Sequence, residues 1–167
     1  MGMSVTISAA TEDDAEQILK LQYLCYQSEA ELYGDYTLEP LTQSLDALRD
    51  ELASHTTLVA RLGPEVVASV RGVVAPDGTA HIAKLIVHPR MRRHGLGGRL
   101  LTAIEGKLRS EGSARRFQLF TGHRSDHNLR LYRKHGYAQI GTERVHDKLS
   151  MVTLSKDAAP EAYVASA

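Results

Sequence analysis

The sequence predicts one α+β (mixed α/β) domain, in which a central twisted mixed β-sheet of about seven strands is flanked by about four helices. Three observations support this fold class. The length of 167 residues suits a single domain. Apolar residues recur with both helical and strand periodicity along the chain. The segments follow the order βααβββαβαββ, which is typical of a sheet covered by helices.

The N-terminal part predicts a strand followed by two helices. Val5–Ser8 alternates like a half-buried strand, and Thr11 precedes three acidic residues, which is typical of a helix start. Apolar positions at helical spacing then place Cys25 on an inner face, where it is expected to be a small buried hydrophobe. The polar segment 28–40 is expected to be loop or fraying helix, and leucines at helical spacing predict a second helix over 41–52.

Three strands are expected next, followed by a long helix. The strands cover 57–62, 66–74 and 80–87, and the last two are joined by a Pro-Asp-Gly turn at 76–78. After a glycine-containing loop, apolar residues at helical spacing predict a helix over 96–108.

The C-terminal part predicts a fifth strand, a short helix and two closing strands. Their expected ranges are 117–121, 126–134, 137–145 and 150–154. The domain is therefore predicted to cover 4–155, with a flexible tail over 156–167.

Composition narrows the class of protein. A content of 43% hydrophobic and 24% charged residues is typical of a soluble globular protein, and no apolar stretch is long enough to span a membrane. One cysteine allows no intramolecular disulfide and disfavours a cysteine-based zinc site, so no metal is expected. The N-terminus lacks the features of a signal peptide, so a cytoplasmic protein is expected.

Charge is divided along the chain although the formal net charge is zero. Residues 1–80 hold four of the 20 Lys and Arg and thirteen of the 20 Asp and Glu, which leaves a net charge of −9, and the remainder carries +9. Two ligands of opposite sign would account for the division, and so would chance segregation on solvated faces. Nucleic acid is not an expected partner, because the basic residues are not interleaved with exposed aromatic residues.

A basic, glycine-containing loop joins the strand at 80–87 to the helix at 96–108. Backbone N–H groups of a first helical turn have no intrahelical acceptor, and glycines allow close approach of a phosphate. The loop therefore predicts a pyrophosphate site. A Walker A loop is excluded because Arg99 follows Gly98, and the dinucleotide fingerprint fails because its third glycine position is Leu100.

These residues resemble the GNAT superfamily of acyl-CoA-dependent N-acetyltransferases. Residues 92–97, Arg-Arg-His-Gly-Leu-Gly, fit its Q/R-x-x-G-x-G/A signature, and residues 85–89 resemble its L-x-V-x-P strand ending. Residues 128–137 resemble its second motif, N…L-Y-x-x-x-G-F/Y. The resemblance covers about residues 4–155 and implies the acyl-CoA N-acyltransferase fold, with acetyl-CoA as acyl donor and no metal.

The resemblance also implies roles for individual residues. The backbone of Leu85, Ile86 and Val87 would pair with the pantetheine arm, and an N–H near Val87 would polarise the thioester carbonyl. Asn128 would contact the pantetheine or adenosine part, and Tyr132 would protonate the leaving thiolate as general acid. The residues expected to hold the pyrophosphate are Arg92, Arg93, His94, Gly95, Leu96, Gly97 and Gly98.

The general base is not fixed by the sequence. Many relatives place a glutamate on the strand before the loop, but the matching position here is close to Ala83. His81 and His123 are candidates because histidine in general can take up a proton near neutral pH, and a water relay is an equal alternative. The reaction implied is direct attack of an amine on the acetyl group, without an acyl-enzyme.

The acceptor is expected to be a primary amine. In relatives the first two helices and their connection shape the acceptor site, and here that region supplies Tyr26, Glu29 and Tyr33, which suit a cation. A solvated acidic loop is the alternative. The protein could also be a non-catalytic acyl-CoA-binding sensor or interaction module, and a homodimer through the closing strands is a family expectation.

Overall fold

The computed structural model describes residues 4–158, which form seven strands and five α-helices. The strands are β1 (Val5–Ala9), β2 (Thr56–Leu62), β3 (Glu65–Val74), β4 (Thr79–Val87), β5 (Arg116–Gly122), β6 (Ala138–His146) and β7 (Leu149–Asp157). The helices are α1 (Ala15–Tyr33), α2 (Glu39–Thr42), α3 (Leu45–Ser54), α4 (Leu96–Gly112) and α5 (Asp126–Lys134). The expected mixed α/β fold is confirmed, with one short helix more than predicted.

The strands form one mixed sheet in the order β1-β2-β3-β4-β5-β7-β6. β4 and β5 are parallel and are connected through α4, whereas β1/β2, β5/β7 and β6/β7 are antiparallel. The parallel pair needs a crossover, and the long helix α4 supplies it. The loop that the sequence singled out lies where β4 ends and this crossover begins.

The chain divides into two compact units. The first unit comprises residues 4–71 and 84–104 of the described chain. Its apolar core is formed by residues of α1, α3 and the neighbouring strands: Ala15, Ile18, Leu21, Cys25, Leu48, Val59, Val66 and Ile86. Burial of Cys25 confirms the expectation that it is a small core residue.

Local hydrogen bonds explain two features of the first unit, the turn before α1 and the boundary between α2 and α3. Asp14 accepts a hydrogen bond from the backbone N–H of Thr11 (2.8 Å) and forms an ion pair with Arg61, whose Nη1 lies 2.7 Å from Asp14 Oδ1. The prediction of a single helix over 41–52 is wrong, because the structure has two helices there, α2 and α3, separated by Gln43 and Ser44. Ser44 Oγ accepts a hydrogen bond from the Ala47 N–H (3.1 Å), so a new helix begins there.

The second unit comprises residues 72–83 and the described chain from 105 onward. Its turn at 76–78 forms as expected, with Gly78 at φ 88° and its N–H donating to the Ala75 carbonyl (2.9 Å). β7 continues to Asp157, three residues beyond the predicted strand end, and Ala158 is buried. The expected boundary at 155 therefore falls inside a strand, and 159–167 of the predicted tail lie outside the described residues.

Candidate functional site

The loop between β4 and α4 has the backbone shape of an anion-binding turn. A short 3₁₀ turn (Pro89–Met91) follows β4, and the chain then adopts left-handed conformations at Arg93 (φ 70°) and Gly95 (φ 70°). Glycine adopts this conformation readily, whereas arginine rarely does. Left-handed residues in a turn curve the chain so that successive N–H groups can face one concavity.

The start of α4 adds further donors to this loop. The N–H of Arg99 donates to the Gly95 carbonyl (3.1 Å), which is the first hydrogen bond of the helix. The N–H groups of Leu96, Gly97 and Gly98 therefore belong to a first turn without intrahelical acceptors. Leu96 is buried and anchors the helix start, whereas residues 92–95 are exposed. A negatively charged phosphate would be stabilised at this end of the helix by its dipole.

The end of β4 is held in place within the first unit. The N–H of His88 donates to the Val67 carbonyl (2.8 Å), and the Cys25 thiol lies 3.3 Å from the Val87 carbonyl. Ile86 is buried, while Leu85 and Val87 are half-buried. Burial raises the pKa of the Cys25 thiol to about 11, although the charge of Arg92 acts in the opposite direction. Cys25 is therefore protonated at neutral pH and unsuited to nucleophilic attack.

The acceptor residues expected from the sequence lie on α1, which is longer than predicted. It continues to Tyr33 and ends at Gly34, whose φ of 60° is left-handed. Tyr26 and Glu29 are half-buried and retain accessible surface. The Tyr33 side chain is only 1% exposed and belongs to the core, so no exposed ring exists at this position for an acceptor to contact.

The first unit contains a polar network that the sequence patterns do not predict. Glu51 accepts from Arg71 (Nη1 to Oε1, 2.7 Å) and from Lys84 (Nζ to Oε1, 3.1 Å). Burial alone would raise the pKa of Glu51, but the hydrogen bond and charge of Arg71, joined by Lys84, hold that pKa below its usual range. These residues are 20 and 33 positions from Glu51 in sequence, and no short-range pattern relates them.

Tyr132 lies in the second unit, near the end of α5. It is 6% exposed, and its ring centroid lies 6.1 Å from that of Tyr137, with the planes tilted by 58°. Gly136 (φ 92°) ends the helical turn, and the Tyr137 N–H donates to the Tyr132 carbonyl (3.0 Å). Tyr132 therefore lies at a helix end that is closed by the Gly136 turn.

Tyr137 belongs to a buried polar cluster behind that turn. Its hydroxyl donates to Glu105 Oε2 (2.7 Å), and Lys156 Nζ lies 2.9 Å from Glu105 Oε1. Burial, together with the charge and hydrogen bond of Glu105, raises the pKa of Tyr137 well above its usual range. Tyr137 is therefore a protonated donor with a structural role.

The other predicted residues of the second unit also have defined positions. Asn128 Nδ2 donates to Thr121 Oγ1 (3.2 Å), which ties α5 to β5. His123 follows β5, and its Nδ1 lies 3.0 Å from the Ser150 backbone nitrogen and 3.2 Å from the Ser150 carbonyl. His81 is half-buried in β4, opposite Gln118 of β5.

The structure also bears on metals and membranes. Among residues 4–158, no group of three His, Cys, Asp or Glu side chains is arranged to hold a metal ion. No helix in the same part of the chain is long and apolar enough to cross a bilayer.

Similarity to known proteins agrees with the loop geometry. A family model described as "Acetyltransferase (GNAT) family" matches residues 15–137. The ribosomal-protein-S18-alanine N-acetyltransferase from Escherichia coli is 15% identical, with a TM-score of 0.77, covering 95% of this chain and 96% of that one. No curated protein is similar enough to count as a match.

Two further structures of the same fold were solved with ligands. The yncA structure from Salmonella typhimurium, with its cofactor acetyl-CoA, is 16% identical, with a TM-score of 0.74 over 95% of this chain and 96% of that one. The PaiA N-acetyltransferase from Thermoplasma acidophilum, in complex with coenzyme A, is 17% identical, with a TM-score of 0.75 over 93% and 99%. At these identities the likeness shows a shared fold.

Proposed function

This chain belongs to the GNAT family of acetyltransferases, and from that premise we propose that it is an acetyl-CoA-dependent N-acetyltransferase. It moves an acetyl group from acetyl-CoA to a primary amine of a small molecule or peptide. Structural neighbours that hold acetyl-CoA or coenzyme A support the choice of donor.

The observation that carries this proposal is the loop at the start of α4. Left-handed residues at Arg93 and Gly95, followed by a first helical turn whose N–H groups have no intrahelical acceptors, provide donors of the kind that a pyrophosphate needs. Exposed Arg92 adds positive charge beside them. Arginine is sterically disfavoured in the left-handed conformation, so the turn at Arg93 is not one that its sequence adopts by default.

The reaction proceeds by direct transfer. The amine nitrogen attacks the thioester carbonyl carbon, and the tetrahedral oxyanion is stabilised by a backbone N–H near Val87. Collapse of this intermediate breaks the carbon–sulfur bond and leaves the coenzyme A thiolate. Tyr132 donates its phenolic proton to that thiolate as general acid. No acyl-enzyme forms, in agreement with the buried, protonated state of Cys25.

The amine must lose a proton for the amide to form, and three acceptors are proposed. They are His81, His123 and a water relay, because the strand position of the usual glutamate is near Ala83, which is exposed and carries no carboxylate. Contacts of His123 Nδ1 with the Ser150 backbone occupy one ring nitrogen, so base action by His123 would have to use Nε2 or break that contact.

The acceptor is proposed to be cationic before it reacts. Tyr26 and Glu29, half-buried on α1, offer an aromatic face and a carboxylate, which together attract an ammonium group. Tyr33 takes no part in this version of the site because its ring is buried in the core.

The first experiment is calorimetric titration of the purified protein with acetyl-CoA, followed by measurement of free thiol released in the presence of a panel of amines. Micromolar binding with amine-dependent thiol release would support the proposal. Binding without release by any amine would favour a non-catalytic acyl-CoA sensor, and no binding would refute both.

The role of Tyr132 has its own test. Tyr132→Phe should retain acetyl-CoA affinity while losing about 10²–10⁴-fold in turnover, the usual contribution of general acid–base catalysis. Urea unfolding of the variant checks that the fold is kept. Turnover equal to that of the wild type would remove Tyr132 from the acid role.

A further inference from the structure

Lys84 has a backbone conformation that a residue with a side chain rarely adopts. It lies within β4, yet its φ is 54°, in the left-handed region. In this region Cβ is crowded against the backbone, so lysine avoids it unless surrounding contacts hold it there. No glycine stands at this position, so contacts of the lysine side chain are the natural candidates.

The ammonium group of Lys84 is held by three neighbours, which we name the lysine clamp: Glu39, Gln43 and Glu51. Its Nζ lies 2.9 Å from Glu39 Oε1, 3.1 Å from Gln43 Oε1, and 3.1 and 3.3 Å from the two Glu51 oxygens. The Lys84 side chain is only 10% exposed. An ammonium has three donors, and the clamp engages all of them.

The clamp is itself fixed from behind by other polar side chains. Gln43 Nε2 donates to Glu51 Oε2 (2.9 Å), and Gln22 Nε2 donates to Gln43 Oε1 (2.9 Å). Arg71, almost fully buried, donates to both Glu51 Oε1 and Gln22 Oε1 at 2.7 Å. Because Gln43 and Glu51 each have a second polar partner, their side of the clamp is held by a hydrogen-bond network, whereas Glu39 binds Lys84 from an exposed position.

The position of Lys84 in the chain gives the clamp a consequence. It directly precedes Leu85–Val87, the backbone that the family resemblance implies would pair with the pantetheine arm, and that includes the oxyanion donor near Val87 of the proposed function. A change of φ at Lys84 would rotate that segment, because φ sets the direction of all following atoms. We propose that Lys84 is a positioning residue, whose clamp holds the left-handed turn that presents Leu85–Val87 to acetyl-CoA. This inference rests on the proposed function.

The test compares two variants that both remove the ammonium group. Lys84→Ala keeps a Cβ that disfavours positive φ, whereas Lys84→Gly tolerates it. Calorimetric titration with acetyl-CoA measures the dissociation constant of each, without any need to know the acceptor. Lys107→Ala, which removes an exposed lysine paired with Glu111 on α4, is the matched control. Urea unfolding confirms that each variant is folded.

The expected result separates backbone positioning from charge neutralisation. Lys84→Ala should weaken acetyl-CoA binding about tenfold, Lys84→Gly about threefold or less, and Lys107→Ala not at all. Equal affinities of Lys84→Ala and Lys84→Gly, whether weakened or unchanged, would overturn the inference while leaving the proposed function intact. A wild-type protein that binds no acetyl-CoA would refute the proposed function itself.

A second variant keeps the test decisive in case Lys84→Ala does not fold. Glu39→Gln removes one carboxylate of the clamp at a side chain that is 62% exposed, so the fold should tolerate it. It should weaken acetyl-CoA binding about two- to threefold, and an unchanged dissociation constant would overturn the inference.

Discussion

Replacing Gly95 with alanine tests the phosphate loop with a single methyl group. Gly95 has a φ of 70°, and a Cβ built there would meet no atom within 4 Å. The substitution therefore creates no clash, and its whole effect comes from the backbone conformation. Alanine in the left-handed region costs about 1–2 kcal/mol relative to its preferred conformations.

That cost appears in one of two measurable quantities. If the loop keeps its shape, the free energy of unfolding falls by about 1–2 kcal/mol, as measured by urea denaturation. If the free loop relaxes instead, acetyl-CoA must restore the shape, and its dissociation constant rises about 5- to 30-fold at about 1.4 kcal/mol per factor of ten. Calorimetry on the same samples separates the two cases.

Gly106→Ala is the matched control for this prediction. Gly106 lies inside α4, where an added Cβ also meets open space, but its φ is not left-handed. Alanine should therefore stabilise the protein by about 0.5–1 kcal/mol and leave acetyl-CoA affinity unchanged. A Gly95→Ala variant with wild-type stability and wild-type affinity would refute the assignment of Gly95 to a strained, ligand-shaping turn.

Three further predictions concern buried polar groups. Tyr137→Phe removes the hydroxyl that donates to buried Glu105 and should lower the free energy of unfolding, measured in urea, by about 1.5–3 kcal/mol. Tyr36→Phe, at an exposed ring, is the control and should change the free energy of unfolding little. Equal effects of the two substitutions would contradict the hydrogen bond. Asp14→Asn should destabilise the protein by about 1.5–3 kcal/mol at pH 7. The hydrogen bond and charge of Arg61 lower the pKa of Asp14 in the folded protein. The contribution of the Asp14 carboxylate to stability is therefore present above the ordinary carboxyl pKa of about 3.9 and disappears as the pH falls through the lowered pKa of the folded state. A stability difference between Asp14→Asn and the wild type that stays constant from pH 6 to pH 2 would disprove this role of the carboxylate. Because burial raises the pKa of Cys25 from 9.0 to about 11, alkylation by iodoacetamide at pH 8 should be at least about 100-fold slower in the native protein than in urea, and comparable rates would show that the thiol is open to solvent.

Local patterns predicted most of the secondary structure because each signal lies within a few residues. The helix expected over 126–134 has those bounds in the structure, since its apolar spacing and the glycine after it are both local signals. The polar surface of segment 28–33 predicts loop or fraying helix, yet the segment continues α1 to Tyr33, and Ala30 and Tyr33 are buried. Polarity on one face of a long helix says little about where the helix ends.

The extension of β7 shows what local patterns lack. Lys156 looks like the first residue of a polar tail, yet its ammonium binds Glu105, which lies 51 positions earlier in the chain. The Lys156 ammonium also lies 5.3 Å from the centroid of the Tyr137 ring. A buried carboxylate needs such partners, and only the folded chain brings them together.

The residues of the candidate site also differ in whether the sequence alone predicts them. The loop over 92–98 is contiguous, and its glycines and arginines give a recognisable pattern even before the fold is known. Lys84, by contrast, lies in a strand whose sequence looks regular, and its left-handed conformation is visible only in the structure. The residues that hold it come from segments 33 to 45 positions away, so spacing along the chain carries no signal.

The charge division along the sequence takes a different meaning once pairing is known. Residues 1–80 carry a net charge of −9, but several of their carboxylates are engaged with cations of the same unit: Asp14, Glu39, Glu51 and Glu65. Their charge is largely neutralised at short range and contributes little to a field felt by an approaching amine. The net charge of a sequence segment therefore overstates the field of the folded protein, because some of its carboxylates are paired with cations from other segments, as Glu39 is with Lys84 and Glu65 with Arg90.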